Sequence, residues 1–277
     1  MKPTSSGPAA RTLAASLREE REARNVGLRR LAEMLGILPQ VLSLWEKGQR
    51  LPSVEDVSAI LGLLQVTGER RDRIRALARH VREPNWLAAN STDALLGLTT
   101  LLTSEADASR VTTWSPLLVP GLLQTPDYIR SIMDNTPVTI DDADARLRIR
   151  LQRQQVLSRR SPVRLDALIG ERALQENFGG AGVMSDQFDH LREMSSRDNI
   201  SIRIVRAGIG YHPGMLGPFD VYEFDNAIPI AIIEQVQSCA FFSESAQTRS
   251  YRQTAKLIGE LALSEAASRE LLQEAAQ

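Results

Sequence analysis

The stretch Leu28 to Arg50, LRRLAEMLGILPQVLSLWEKGQR, decides how the front of this chain folds. Leu28, Leu31, Ala32 and Leu35 recur at i, i+3, i+4 and i+7, which places them on one side of a helix. Gly36 ends that helix, and Pro39 stands where a second one begins, because the first helical position has no use for an N–H. Leu42 and Trp45 give the second helix an inward stripe, and Gly48 closes it. Its other side carries Gln40, Ser43, Leu44 and Lys47, again at i, i+3, i+4 and i+7. The face is polar, built of small and medium side chains, and tipped with a cation, as suits a helix lying in a major groove.

Working outward, Leu13 to Asn25 reads as a preceding helix with Arg and Glu on its outer side. Ser53 followed by Asp56 has the spacing of a capping box, and Val57, Ile60, Leu61 and Leu64 supply the buried face of the helix it starts. Thr67 is placed to cap a fifth helix, with Ile74, Leu77, Ala78 and Val81 inward. Residues 13–82 are therefore expected to form an all-α, five-helix helix-turn-helix domain, preceded by a disordered arm over 1–12 and followed by a linker over 83–92, EPNWLAANST. Residues 93–277 read as a second domain. Strands are expected at 110–119, 163–169, 200–205, 219–224 and 228–234, the last two joined by the turn Asp225-Asn226-Ala227. Helices are expected at 93–108, after Thr125-Pro126, and at 141–159, 183–195, 243–263 and 265–275. That order points to an α+β domain with a mostly antiparallel sheet.

Charge separates the two parts. Residues 1–82 hold 15 Lys and Arg against 9 Asp and Glu, an excess of six, whereas the rest holds 18 against 25, a deficit of seven, leaving the net charge of -1. The basic part is the one with the grooved-helix pattern, as a phosphate-binding surface requires. No run of about 18 apolar residues occurs, and the start MKPTSSGPAARTL is polar, so neither a membrane span nor a signal peptide is expected and the chain is placed in the cytoplasm. The lone Cys239 and the scattered His80, His190 and His212 lack metal-ligand spacing, and no nucleophile elbow or phosphate loop is present, so no metal, cofactor or enzymatic activity is expected. Glu171, His212, Glu234 and Cys239 do not form a catalytic set by their spacing.

Each residue of the reading face has its own expectation. Gln40, in the first turn of its helix beside Pro39, is read as a base contact against the alternative of a solvated amide. Ser43 either touches a base or permits close approach, and Leu44 either meets a thymine methyl or stands idle at the surface. Lys47 and Arg50 are read as phosphate contacts, and Glu46 as a structural residue paired with a neighbouring Arg. The arginines of the fifth helix read as a solvated face. In the second domain Arg146, Arg150 and Arg153 line one side of a helix; this is a salt-bridged surface or, alternatively, a surface for a protein partner or an acidic ligand. His212 is a loop residue, with a ligand pocket shared with Trp114, Tyr211 and Phe219 as the alternative.

GLRRLAEMLGILPQVLSLWEKGQRLPSVEDVSAILGLL, residues 27–64, resembles the repressor-type helix-turn-helix domain of phage repressors and xenobiotic-response-element-like regulators. The Leu-Ala pair, the Gly of the turn, the Glu-x-Gly end and the following Pro-Ser all stand at that family's spacing. The chain departs from it at Gly27 and Leu28, where members often carry a polar cap and a Gln, and at Leu38, where they carry a Ser or Thr cap. The first departure shifts phosphate contact onto Arg29 or Arg30; the second should weaken the start of the reading helix by about 1 kcal/mol. WSPLLVPGLLQTPDY, RLQRQQVL, GYHPGMLGPF and the Ile-Ile-Glu of 232–234 resemble a C-terminal domain of uncharacterised function found behind such domains in many actinobacterial regulators. The two resemblances imply a DNA-binding transcriptional regulator, a repressor acting as a homodimer on double-stranded DNA and controlled through its C-terminal domain. They leave two alternatives: an antitoxin-like protein whose main role is binding a small protein encoded nearby, and a regulator that senses a small molecule.

Overall fold

A computed structural model describes residues 7–81, 85–88, 91–134, 143–235 and 238–276. In chain order the elements are α1 (Pro8–Ala23), α2 (Leu28–Leu35), α3 (Pro39–Glu46), α4 (Val54–Leu63), α5 (Gly68–His80), β1 (Asn85–Ala88), α6 (Ser91–Asp107) and β2 (Arg110–Ser115). They continue with α7 (Pro126–Asp134), α8 (Ala143–Gln154), β3 (Arg164–Gly170), α9 (Arg172–Gln175), α10 (Ala181–Met194) and β4 (Ile200–Val205). The last are β5 (Phe219–Glu223), β6 (Ile230–Glu234), β7 (Cys239–Phe242), α11 (Ser245–Leu261) and α12 (Glu265–Ala275). Short 3-10 turns stand at Gly121–Leu123, Gln155–Leu157 and Pro213–Leu216. Among the described residues no helix is long and apolar enough to cross a membrane.

The chain divides into two compact units, residues 1–107 with 223–248, and residues 108–222 with 249–277. In the first, α1 packs against α3, α4, α5 and α6. Leu13 and Leu17 of α1 meet a core of Leu31, Leu42, Val57, Ile60, Leu61 and Leu77, all essentially without solvent contact. The periodic positions read from the sequence are thus the buried ones, except that Leu28 and Leu35 are only half-buried. Gly36 takes the left-handed conformation, φ 67°, at the end of α2, where a Cβ would be strained. The capping box forms as its spacing predicts: the Asp56 N–H donates to Ser53 Oγ at 3.0 Å and the Ser53 N–H to Asp56 Oδ2 at 2.9 Å. Thr67 stands at the start of α5 but its side chain makes no cap hydrogen bond.

The expected arm shortens, because α1 begins at Pro8 and buries Ala9, Ala10 and Thr12; residues 1–6 lie outside the described residues. The expected linker contains a strand. β1 pairs antiparallel with β7, Asn85 opposite Phe242, and β7 pairs antiparallel with β6. Arg11 of α1 belongs to this region: its guanidinium carbon lies 3.8 Å from the centroid of the Phe224 ring, and burial pulls its pKa down to about 10 against the raising influence of Asp107.

The second unit corrects the expectation of a mostly antiparallel sheet. β2 pairs parallel with β3, Arg110 opposite Arg164, and β3 pairs parallel with β4, Leu165 opposite Ile200. With the antiparallel β1, β7 and β6, the strands of the chain are of mixed direction. The reason lies in the connections: α7 and α8 intervene between β2 and β3, and α9 and α10 between β3 and β4. Such helical crossovers return the chain to run parallel, whereas a tight hairpin reverses it. β3 reads LIG at its end, and an added Cβ at Gly170 would lie 2.4 Å from the carbonyl oxygen of Pro116, so the residue must be glycine for β2 and β3 to pack. α12 packs against α10 and β4, and its Ser268 hydroxyl accepts from the Ile204 N–H at 2.9 Å.

Candidate nucleic-acid interface

α3 presents its two sides as the spacing requires. Leu42 is fully buried and Trp45 nearly so, while Gln40, Leu44 and Lys47 are exposed and Ser43 and Pro39 half-exposed. Its buttress is a buried ion pair. Arg21 of α1 donates from Nε to Glu46 Oε1 at 2.7 Å and from Nη2 to Oε2 at 2.8 Å, while Nη1 reaches the Val26 carbonyl at 3.0 Å. The two side chains keep only 11% and 5% of their exposure. The hydrogen bond to Glu46 raises the Arg21 pKa further, outweighing the burial that lowers it. A two-bond fork of this kind fixes orientation as well as distance, so it holds the C-terminal end of α3 against α1. The pairing expected for Glu46 is therefore present, and Arg21 is the residue that sequence reading left unnamed.

The cations around α3 differ in availability. Arg30 is paired with Glu33 at 2.8 Å, Arg18 with Glu22 at 2.8 Å, and Arg70 with both Glu19 and Glu20. Among the described residues Arg29, Lys47 and Arg50 are exposed and have no ion-pair partner. Of the two neighbouring arginines Arg30 therefore has a counter-ion among the described residues and Arg29 has none. The amino ends of α2 and α3 are less well stopped than that of α4: neither Gly27, before α2, nor Leu38, before α3, makes a side-chain cap hydrogen bond, and Leu38 is 68% exposed.

The candidate residues of the second unit do not assemble as one site. Trp114 donates from Nε1 to the Gly214 carbonyl at 2.7 Å and meets His212 edge-on, ring centroids 5.7 Å apart. A Cβ at Gly214 would come within 2.9 Å of both rings and of Ile258, so these residues pack closely against one another. Phe219 packs instead on Tyr251, and Tyr211 is 78% exposed. Of the four residues of the alternative pocket, Trp114 and His212 are in contact, Phe219 packs on Tyr251 and Tyr211 is exposed. Arg150 donates to Gln124 Oε1 at 2.7 Å and Arg153 is half-buried with a partner of its own, while Arg146 lies on α8 with its side chain outside the described residues. Glu171 accepts from the Ala207 N–H and from Arg206; burial pushes its carboxyl up, but these two bonds outweigh it and hold the pKa below the ordinary value. Glu234 is exposed and Cys239 half-buried on β7. Among the described residues no group of three or more His, Cys, Asp or Glu is gathered to hold a metal ion.

Comparison with known proteins agrees with this arrangement. Residues 17–70 match a family model described as helix-turn-helix, which covers α2, the turn and α3. Residues 98–274 match a model described as a domain of unknown function, DUF5753. No curated protein and no solved structure matches the chain. The front of the molecule is accordingly the DNA-binding part of a transcription regulator, and since the longer match takes in well over half of its residues, the chain belongs to the DUF5753 family.

Proposed function

We propose that this protein is a sequence-specific transcriptional repressor of the cytoplasm that binds as a homodimer, with the two α3 helices entering major grooves about one helical turn, roughly 34–36 Å, apart. The observation that carries the reading is the exposed face Gln40, Ser43, Leu44 and Lys47 on a helix locked to the core by Arg21 and Glu46. Unpaired cations stand around it at Arg29 and Arg50. Gln40 reads a base edge and the cations hold phosphates. Binding to duplex DNA from the protein's own promoter region, followed by mobility shift at several salt concentrations, tests this. A salt-sensitive complex is expected; Gln40→Ala should weaken it by about 1 to 3 kcal/mol, and Lys47→Ala should lower the salt slope by about 1. Absence of a complex, or one unchanged when both residues are replaced, would sink the assignment.

A protein partner is a second reading, favoured by apolar side chains in the connections that leave the carboxyl ends of β2 and β4. Leu117 is 54% exposed, Met215 57% and Leu216 83%, beside the exposed Tyr211. Surfaces of this kind mark contacts with other proteins. In this reading the repressor is released or held through the C-terminal domain, and an antitoxin-like pairing with a small protein encoded nearby would be the source of control. Co-purification of the full chain with the products of adjacent genes tests it, and recovery of the chain alone would count against it.

A further inference from the structure

We infer that the reading helix selects thymine through its methyl group, with Leu38 and Leu44 as the two apolar specificity-determining residues on either side of Gln40. The inference rests on the reading of α3 as the helix that enters the groove. Its starting point is an anomaly of burial. Leu31, Leu42 and Trp45 go inward, whereas Leu38 keeps 68% of its exposure, Leu44 36% and Met34 of α2 41%; of these only the two leucines flank Gln40 along the chain.

The positions of the two leucines argue against scattered surface residues. Leu44 follows Gln40 by four residues, so it lies on the same face one turn along. Leu38 is the residue before α3, with extended backbone at φ -70° and ψ 138°, at the amino end where base contacts concentrate in a helix-turn-helix. It makes no cap hydrogen bond there, so it contributes nothing to the helix start that a serine would not do better. Pro39, next to it, has no N–H to offer. Along the reading surface the amide of Gln40 thus has apolar carbon before it, at Leu38, and after it, at Leu44, with Ser43 and Lys47 completing the face.

Chemistry then selects the base. The thymine C5 methyl is the one methyl group on the major-groove edge of the bases, whose other recognition groups are hydrogen-bond donors and acceptors. A leucine pressed onto the cytosine amino group or a guanine oxygen removes water from it and returns no hydrogen bond. Against a methyl it removes apolar surface on both sides. Gln40, between the leucines, matches adenine with its paired donor and acceptor. Each half-site should accordingly carry an adenine flanked by two thymine positions whose methyl groups matter, on whichever strand places them in the groove.

The test separates the methyl from hydrogen bonding. Duplexes enriched from a randomised pool by the full chain are resynthesised with uracil for thymine, one position at a time, which removes only the methyl. At two positions per half-site affinity should fall about fourfold per methyl. Leu38→Ala should abolish that difference at one position and Leu44→Ala at the other, with thermal melting used to show that the variants stay folded. An enriched duplex with no uracil-sensitive position, or a uracil effect that persists in both variants, overturns the inference while leaving the DNA-reading function standing. A pool from which nothing is enriched overturns both.

Discussion

Arg21 gives up its side-chain freedom and most of its water to grip Glu46, with Glu22 as a longer contact at 3.4 Å, and the cost of breaking the grip on Glu46 is calculable in direction and scale. Removing one member of a buried pair typically costs about 3 to 5 kcal/mol, and the longer contact with the exposed Glu22 places this case at the low end. Glu46→Ala should therefore destabilise the helical unit by about 3 kcal/mol in urea unfolding. Replacing both partners, Arg21→Met with Glu46→Leu, should recover most of the loss, because the penalty belongs to the orphaned charge more than to the lost attraction. If the double variant is as weak as the single one, the pair contributes more than mutual neutralisation. The same logic separates Arg21 from Lys47: the first is 11% exposed and committed, the second exposed and without an ion-pair partner among the described residues. Only the second is free to meet a phosphate.

Among the elements, α3 and α4 start by different rules. α4 has the reciprocal bonds of Ser53 and Asp56, whereas α3 begins at Leu38 with none. Ser53→Ala should lower stability by about 1 kcal/mol, and Leu38→Ser should raise it by a similar amount. Both are measurable as shifts of the unfolding midpoint. If Leu38 is retained for contact with thymine, the Leu38→Ser protein will be the more stable and the weaker binder, a trade seen where reading surfaces take priority over helix ends. The parallel strands follow a comparable local logic. β2, β3 and β4 are separated by helices, and that alternation was present in the expected order of elements, so the parallel direction could have been argued from it.

At the scale of the molecule, the boundary between units does not coincide with the boundary between family matches. Residues 223–248 lie inside the match that runs from 98 to 274, yet they cluster with the helical unit, where β7 pairs with β1. A fragment ending at Asp107 would keep the helix-turn-helix but leave β1 without its partner strand and Arg11 without the Phe224 ring. Such a fragment should fold with a lower melting temperature than the corresponding transition of the full chain, detectable by circular dichroism; an equal melting temperature would mean that β6 and β7 add nothing to that unit. By itself the sequence determined what depends on near neighbours: the helix faces of α2 and α3, the turn at Gly36, the box at Ser53 and the pairing of Glu46 with some arginine. Periodicity and caps are set by side chains within a few positions of each other, so they can be read along the chain. Only the tertiary structure decided which arginine meets Glu46, that Asn85–Ala88 is a strand, and that Trp114 meets His212 edge-on while Phe219 packs on Tyr251. A four-residue strand is too short to display a period, and its partner, Cys239–Phe242, lies about 150 residues further along the chain. Its identity is fixed by which backbone edge and which buried surface come together in space, and no local pattern encodes that.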